Sequence, residues 1–442
     1  MTRIKATSRW LGWAALVAAA ACSSSTRDGA PPTPVPPGNA VAATDATATA
    51  VAPTPVEPDP TPDAAPPPDA APPPAAGASF AAEAKLLYRV AACGGTDPLP
   101  ASIDAKVVER HCKWIEDKAT KFRAQYFEGG RAFFDSIVPA DAPTTVVYPF
   151  GGGDLISALV AFPKATDITT ISLELAGDPR RIDTLDKRHL ADSLSSLRAE
   201  IGGLLSVGSN TSVNLSAGQR NDLPAQVSSF LMGLAAGGYE PVDMRYFKLE
   251  TDGSIHYYEQ AEIDAIEAAE TRAVKRKGDW QSPSFSEAFA NVELTYRKIG
   301  ETQLRVHRHF GWNLGDDYLK AHGELLTFLA AKGKVTILTK GGSYMLWRSD
   351  FHLIRDYMLG HLAWMLSDST GIPPTYARKA GMVQETYGRY DGAFLEGAEQ
   401  GLTGLSDEFR ALWRKNPYRK LPFRFGYVDM NKQAHLVVTR PQ

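Results

Sequence analysis

From residue 80 onward two hydrophobic periods alternate along the chain. Apolar residues three and four apart predict helices over 80–92, carried by Leu86, Leu87 and Val90, and over 103–127, carried by Val107, Val108, Cys112, Ile115 and Phe122. Cys93-Gly94-Gly95 stops the first and Gly129-Gly130 breaks the second. The period then switches. Residues 144–150 form a β-branched apolar strand, Gly151-Gly152-Gly153-Asp154 a tight turn, 155–162 a short helix ended by Pro163, and 168–175 a second strand. Helices follow over 186–205 and 223–236, and a hairpin over 244–249 and 254–258 turns at Thr251-Asp252-Gly253. Further on, the pattern gives a strand at 304–310, a helix at 316–332 closed by Gly333, and a strand at 335–338. A helix at 351–359, a strand at 362–366 and a final hairpin of 423–428 with 435–439 complete it. Strands alternating with helices predict an α/β fold with a mixed sheet, flanking helices and a C-terminal β-hairpin.

The first 79 residues have a different character. Arg3, Lys5 and Arg9 precede an apolar run from Trp10 to Ala21, a basic start and short apolar core of the kind a secretory signal has. That run is too short for a ~30 Å hydrocarbon core, which takes about 20 residues. Ala19-Ala20-Ala21-Cys22 resembles the lipobox of bacterial lipoproteins, with alanine where leucine is commonest. The resemblance implies cleavage before Cys22 and acyl chains on that cysteine, hence a partner membrane. Ser23 in second position implies the outer membrane by analogy with enterobacterial sorting. An ordinary secretory signal cut at a similar place is the alternative.

Of the chain's 31 prolines, 16 lie between Ala30 and Gly77. No Lys or Arg occurs between Arg27 and Lys85, and no aromatic residue separates Trp13 from Phe80. Such a segment buries too little apolar surface to offset its ordering entropy, and its proline runs favour extended geometry at ~3.1 Å per residue. The expected organisation is a signal peptide at 1–21, a Pro/Ala-rich tether at 22–79 and one globular domain at 80–442.

Net charge is −3 and gives no nucleic-acid footprint. Cys93 and Cys112 remain once Cys22 is acylated. In an exported chain they are expected to pair, with two buried thiols as the alternative.

Gly151, Gly152, Gly153 and Asp154 are the first candidate ligand-binding residues. Glycines after a strand let backbone N–H groups approach a ligand, and the next helix aims its positive end there. Glu174 lies 21 residues after Gly153, the interval at which an acid suits a ribose. The segment from Val146 to Glu174 resembles the first strand–helix–strand unit of class I methyltransferases. The resemblance implies a Rossmann-like domain with an adenosyl cofactor over Gly151 and Gly153 and with Glu174 on its ribose. Two positions depart from that pattern. Tyr148-Pro149 stands where the first strand carries an acid, and Ile156 where a third glycine is usual. An exported domain also meets no obvious adenosyl supply, so no cofactor is assigned. Tyr148 to Asp154 and Ser343 to Pro373 further resemble an exported bacterial family, which implies compartment and no activity.

Three weaker constellations remain. His307 and His309 share a strand face and would meet one metal, with Asp316 and Asp317 as possible further ligands. A half-exposed strand with a polar face gives the same pattern, and no metal is assigned. Ser343, His352 and Asp368 make a serine–histidine–acid set on paper, although Met345 stands where a nucleophile elbow has glycine. Asp368-Ser369-Thr370-Gly371 follows a strand and reads as a turn or as a ligand loop. The function expected is therefore a membrane-anchored envelope lipoprotein whose domain binds a small molecule, glycan or protein. The alternative is an adenosyl-dependent transferase on the same scaffold.

Overall fold

The computed structural model describes residues 77–206, 223–270, 286–392, 403–426 and 434–442. Cys22, the expected signal peptide and nearly all of the expected tether lie outside the described residues.

The centre of the domain is five parallel strands: β1 (Thr145–Pro149), β2 (Asp167–Ser172), β6 (Leu304–Gly311), β7 (Val335–Thr339) and β8 (Leu362–Ser367). β1 sits in the middle. The chain builds outward to β2 and β6 on one side, then returns to lay β7 and β8 on the other. The order therefore reverses between β1 and β7, the place where doubly wound sheets bind ligands beyond their carboxyl ends. β1 and β7 are buried at every residue but Thr145, because both sheet faces are covered.

Antiparallel strands extend both sides. β3 (Tyr239–Leu249), β4 (Ile255–Tyr257) and β5 (Asn291–Lys298) add to β6, and β9 (Met382–Gly388) and β10 (His435–Pro441) add to β8. Among the described residues the sheet has ten strands, in the order β4-β3-β5-β6-β2-β1-β7-β8-β10-β9. The expected terminal antiparallel pair is present, but with a different first strand. β10 pairs with 382–388, and 423–426 forms no strand. Phe423 and Phe425 instead set their rings against Phe134, at 5.2 and 5.9 Å.

On one face α1 (Ala81–Val90), α4 (Leu155–Ala161), α5 (Lys187–Ser206), α6 (Ala225–Gly237) and α7 (Gln260–Glu270) bury Leu87, Leu159, Leu194, Phe230 and Ile263 in one core with Val146, Tyr148 and Ile168. On the other, α8 (Asp316–Ala321), α9 (Glu324–Ala331), α10 (His352–His361) and α11 (Pro374–Lys379) cover Val147, Ile171, Phe310 and Ile337. The helix expected over 316–332 is thus two helices broken at His322-Gly323. Conversely, α2 (Ala105–Phe122) does not stop at Gly129-Gly130. It continues through a π-helical turn over Arg123–Gly130 into α3 (Arg131–Ile137).

Neighbouring segments hydrogen-bond to part of each sheet edge, which leaves less of it open to pairing with another chain. Beside β9, Gly388 N–H donates to Arg419 O at 2.8 Å and Asn416 Nδ2 to Gln384 O at 3.3 Å. Beside β3 and β4, the chain enters the domain by hydrogen bonds at four successive residues. Gly77 O accepts from Arg245 Nη1 (2.7 Å), Ala78 N–H donates to Tyr258 O (2.8 Å), Ser79 Oγ to Asp243 (2.5 Å) and Phe80 N–H to Met244 O (2.8 Å).

Cys93 and Cys112 are joined as a disulfide that ties the end of α1 to α2. Their separation of 19 residues closes a loop worth about 3 kcal/mol on the chain-entropy account. Denaturant titration of a Cys93→Ser/Cys112→Ser variant is expected to show that loss; an unchanged midpoint would refute it.

Candidate functional site

The glycine loop leaves β1 with Phe150 in left-handed backbone at φ +61° and Gly152 at φ +50°. Gly151 has no room for a side chain, since a Cβ there would sit 2.8 Å from the Tyr148 ring. The loop closes through Asp154 N–H to Gly151 O (3.0 Å), and Asp154 caps α4 by accepting from Ser157 N–H (3.3 Å). So far this is the local geometry of a ligand-cradling turn.

Its mouth, however, is filled. Lys340, directly after β7, reaches across the switch point. Its Nζ lies 2.5 Å from Asp154 Oδ2 and donates to Ser157 Oγ at 2.8 Å. Tyr148 OH donates to the same Asp154 oxygen at 3.1 Å. The Lys340 and Asp154 side chains are 3 % and 4 % exposed, and every residue from Gly151 to Ala161 is buried. From the helix side, Ser229 Oγ donates to Gly153 O at 3.1 Å. Four polar groups thus satisfy one another beside the glycine loop. Tyr148-Pro149, the departure from the methyltransferase pattern, supplies one of them.

Glu174 lies just past β2 and is buried. Its carboxylate accepts no hydrogen bond from any described residue, while its backbone oxygen accepts from His309 Nε2 at 2.8 Å.

The two histidines of β6 face inward. This corrects the half-exposed polar face expected of that strand: Arg305, His307 and His309 are buried, and Leu304 is the exposed side chain. The reason is that the polar groups find partners inside. Arg305 Nη1 donates to Pro163 O and Ala165 O. His307 Nε2 and His309 Nδ1 lie 2.9 and 3.0 Å from Thr170 Oγ1. Since His309 Nε2–H donates to Glu174 O, Nδ1 of a neutral ring must accept. Thr170 O–H then donates to His309 and accepts from His307 Nε2–H. His307 Nδ1 is left a buried acceptor with no partner. Phe230 seals the pair with ring centroids 4.4 and 5.0 Å away. Burial holds both imidazoles far toward the neutral form, His307 well below the ordinary range and His309 at about 4. No group of three or more metal-ligating side chains occurs among the described residues.

The serine–histidine–acid set is not assembled. His352 Nδ1 is bonded to Asp316 Oδ2, and Asp316 also accepts the N–H groups of His352 and Leu353, capping α10. Asp368 serves the adjoining loops: it accepts from Gly341 N–H (3.0 Å) and Thr370 N–H (2.8 Å), and Thr370 Oγ1 accepts from Gly342 N–H (2.8 Å). The 368–371 segment is therefore a turn that staples the loop after β7 to that after β8. A pairing not expected from spacing lies beside it, Ser369 Oγ with His435 Nε2 at 2.9 Å, both side chains buried.

Sequence reasoning did not single out Lys340. A lysine ending an otherwise buried strand and followed by two glycines was its one visible signal. Comparison with protein-family models, curated proteins and solved structures finds no match for this chain.

Proposed function

We propose that this chain is an exported lipoprotein, acylated at Cys22, whose α/β domain is a binding module of the cell envelope on a Rossmann-like scaffold that does not use an adenosyl cofactor. One observation carries the second half of this reading: the switch-point crevice is occupied by the buried Lys340–Asp154 pair with Tyr148 and Ser157. Opening it for a ligand would strand two charges in a low-dielectric interior. The strand order β6-β2-β1-β7-β8-β10-β9 supports kinship with the methyltransferase-like scaffold, and the filled crevice supports its reuse. The first half rests on the basic start, the apolar run and Ala19-Ala20-Ala21-Cys22. No helix among the described residues is long and apolar enough to cross a membrane.

A transferase is the second reading, and Glu174 favours it, being a buried carboxylate without a hydrogen-bond donor at the end of β2.

Cell fractionation with a wash in about 1 M salt, where the screening length is ~3 Å, tests the anchor. Wild type is expected in the membrane fraction and the full-length Cys22→Ala variant in the soluble one; retention of the variant refutes acylation at Cys22. The same soluble variant is then heated with and without S-adenosylmethionine. No shift in melting temperature is expected. A stabilisation that disappears on Gly153→Val would overturn the binding-module reading in favour of the transferase.

A further inference from the structure

Charge is unevenly distributed over this domain. Between Glu408 and Asp429 the chain carries six basic residues and no acid, interleaved with Trp413, Tyr418, Phe423, Phe425 and Tyr427. The net charge of −3 averages over this run. The fold lays part of it along the outermost strand. α12 (Thr403–Lys415) packs beside α11, where Glu408 accepts Thr375 N–H at 2.9 Å. Residues 416–419 then follow the free side of β9 through the two hydrogen bonds already described.

The acids of this region are already committed. Glu385 pairs with Arg440 at 2.9 Å and with Arg419 at 3.4 Å, and Asp407 with Arg410 at 3.4 Å. Left over are Arg378 and Lys379 at the end of α11, Arg389 just past β9, and Arg414, Lys415 and Lys420. All six are exposed, and none pairs with a described carboxylate. β9 has seven residues, so the stripe they form is about 20 Å long at ~3.3 Å per residue. Tyr418 stands among them, 66 % exposed, with the Arg389 guanidinium 5.4 Å from its ring centre. Unpaired cations around an exposed amphipathic aromatic complement a surface that is anionic on top and apolar just beneath.

We infer that the β9 side of the domain, with Arg378, Lys379, Arg389, Arg414, Lys415 and Lys420 around Tyr418, docks on an anionic lipid surface. The choice of lipid over another polyanion rests on the proposed lipid anchor, which would keep the domain within reach of such a surface.

The test uses the full chain as the non-acylated Cys22→Ala variant, floated with vesicles of mixed phosphatidylglycerol and phosphatidylcholine or of phosphatidylcholine alone. Binding is expected only to the anionic vesicles, and it should vanish in about 1 M salt. Each cation near such a surface contributes about a fivefold gain in partitioning. Arg414→Gln/Lys415→Gln/Lys420→Gln should therefore weaken binding on the order of a hundredfold, whereas Lys320→Gln, on α8, should not. Equal binding to both vesicles, no binding to either, or an unaffected triple variant overturns the proposal. Capture by a soluble sulfated polysaccharide without vesicle binding also overturns it and assigns the stripe to a glycan. Failure of the acyl anchor would show separately, in the high-salt fractionation.

Discussion

Denaturant titrations between pH 7 and pH 4 are expected to find the domain losing most of its stability over that interval. Three buried histidines set the direction. His307, His309 and His111 all have folded-state values pushed down by burial, His309 and His111 to about 4 against an ordinary 6.5. His111 Nε2 donates to Ala91 O at 2.8 Å, and Arg198 lies 3.3 Å from its Nδ1, which further disfavours a second proton. Between pH 6.5 and 4 the unfolded chain binds protons that the folded one refuses. Stability is therefore fully present above about 6.5 and falls as pH drops toward 4. Each displacement of about two and a half units corresponds to roughly 3 kcal/mol, so His309 and His111 together account for about 6 kcal/mol. Net stabilities of domains are typically about 5–15 kcal/mol. A His309→Gln variant should start less stable and depend less steeply on pH. A stability flat from pH 6.5 to 4 would mean that these rings are not held neutral inside the fold.

The second large effect is at the filled crevice. Replacing Lys340 with Met leaves the Asp154 carboxylate buried with only Tyr148 OH and Ser157 N–H for company. Breaking one side of a buried ion pair costs about 3–5 kcal/mol. Asp154→Asn in the same chain should recover much of that loss, because the uncompensated charge is gone while the cap on Ser157 N–H survives. Urea midpoints of the single and double variants measure both terms. If Lys340→Met cost less than about 1 kcal/mol, Asp154 would have solvent or another cation within reach, and the crevice would be open enough for a ligand.

The parts of the fold legible in the sequence are those with a dense run of apolar and β-branched residues. β1, the glycine loop and α4 emerge because a strand buried on both faces reads as a hydrophobic run, and β2 emerges through its β-branched Ile168, Thr169, Thr170 and Ile171. β5 and β9 give no such signal. In β5, Asn291 and Glu293 are buried polar residues. Asn291 accepts from Gly311 N–H, and Glu293 pairs with Arg308 at 2.7 Å while accepting from Tyr257 OH at 2.6 Å. The strand thus hides polar side chains behind partners remote in sequence. β9 is half-buried at nearly every position, so Val383, Gln384, Glu385 and Thr386 show no clean alternation. The run at 423–426 misleads for the opposite reason, its phenylalanines plugging a gap beside Phe134 instead of building a ladder.

The candidate site follows the same logic. The glycine loop is local and visible. What packs against it is Lys340, which is remote in the chain and joins the loop only once the sheet order places β7 beside β1. Likewise the H-x-H pair is visible, but whether it meets solvent, metal or a hydroxyl depends on Thr170 from the neighbouring strand.

The way the chain joins the domain bears on how it carries a mechanical load. A pull from the N-terminal side arrives first at Gly77, where Arg245 grips the backbone oxygen, and then at the bonds of Ala78, Ser79 and Phe80. Should those give way, α1 would peel next. At Cys93 the tension would pass through the sulfur bridge into α2, so the intervening loop is spared and rupture of the remaining fold must begin from a different helix. A domain held by its N-terminus on a moving surface would lose a helix before it lost its sheet.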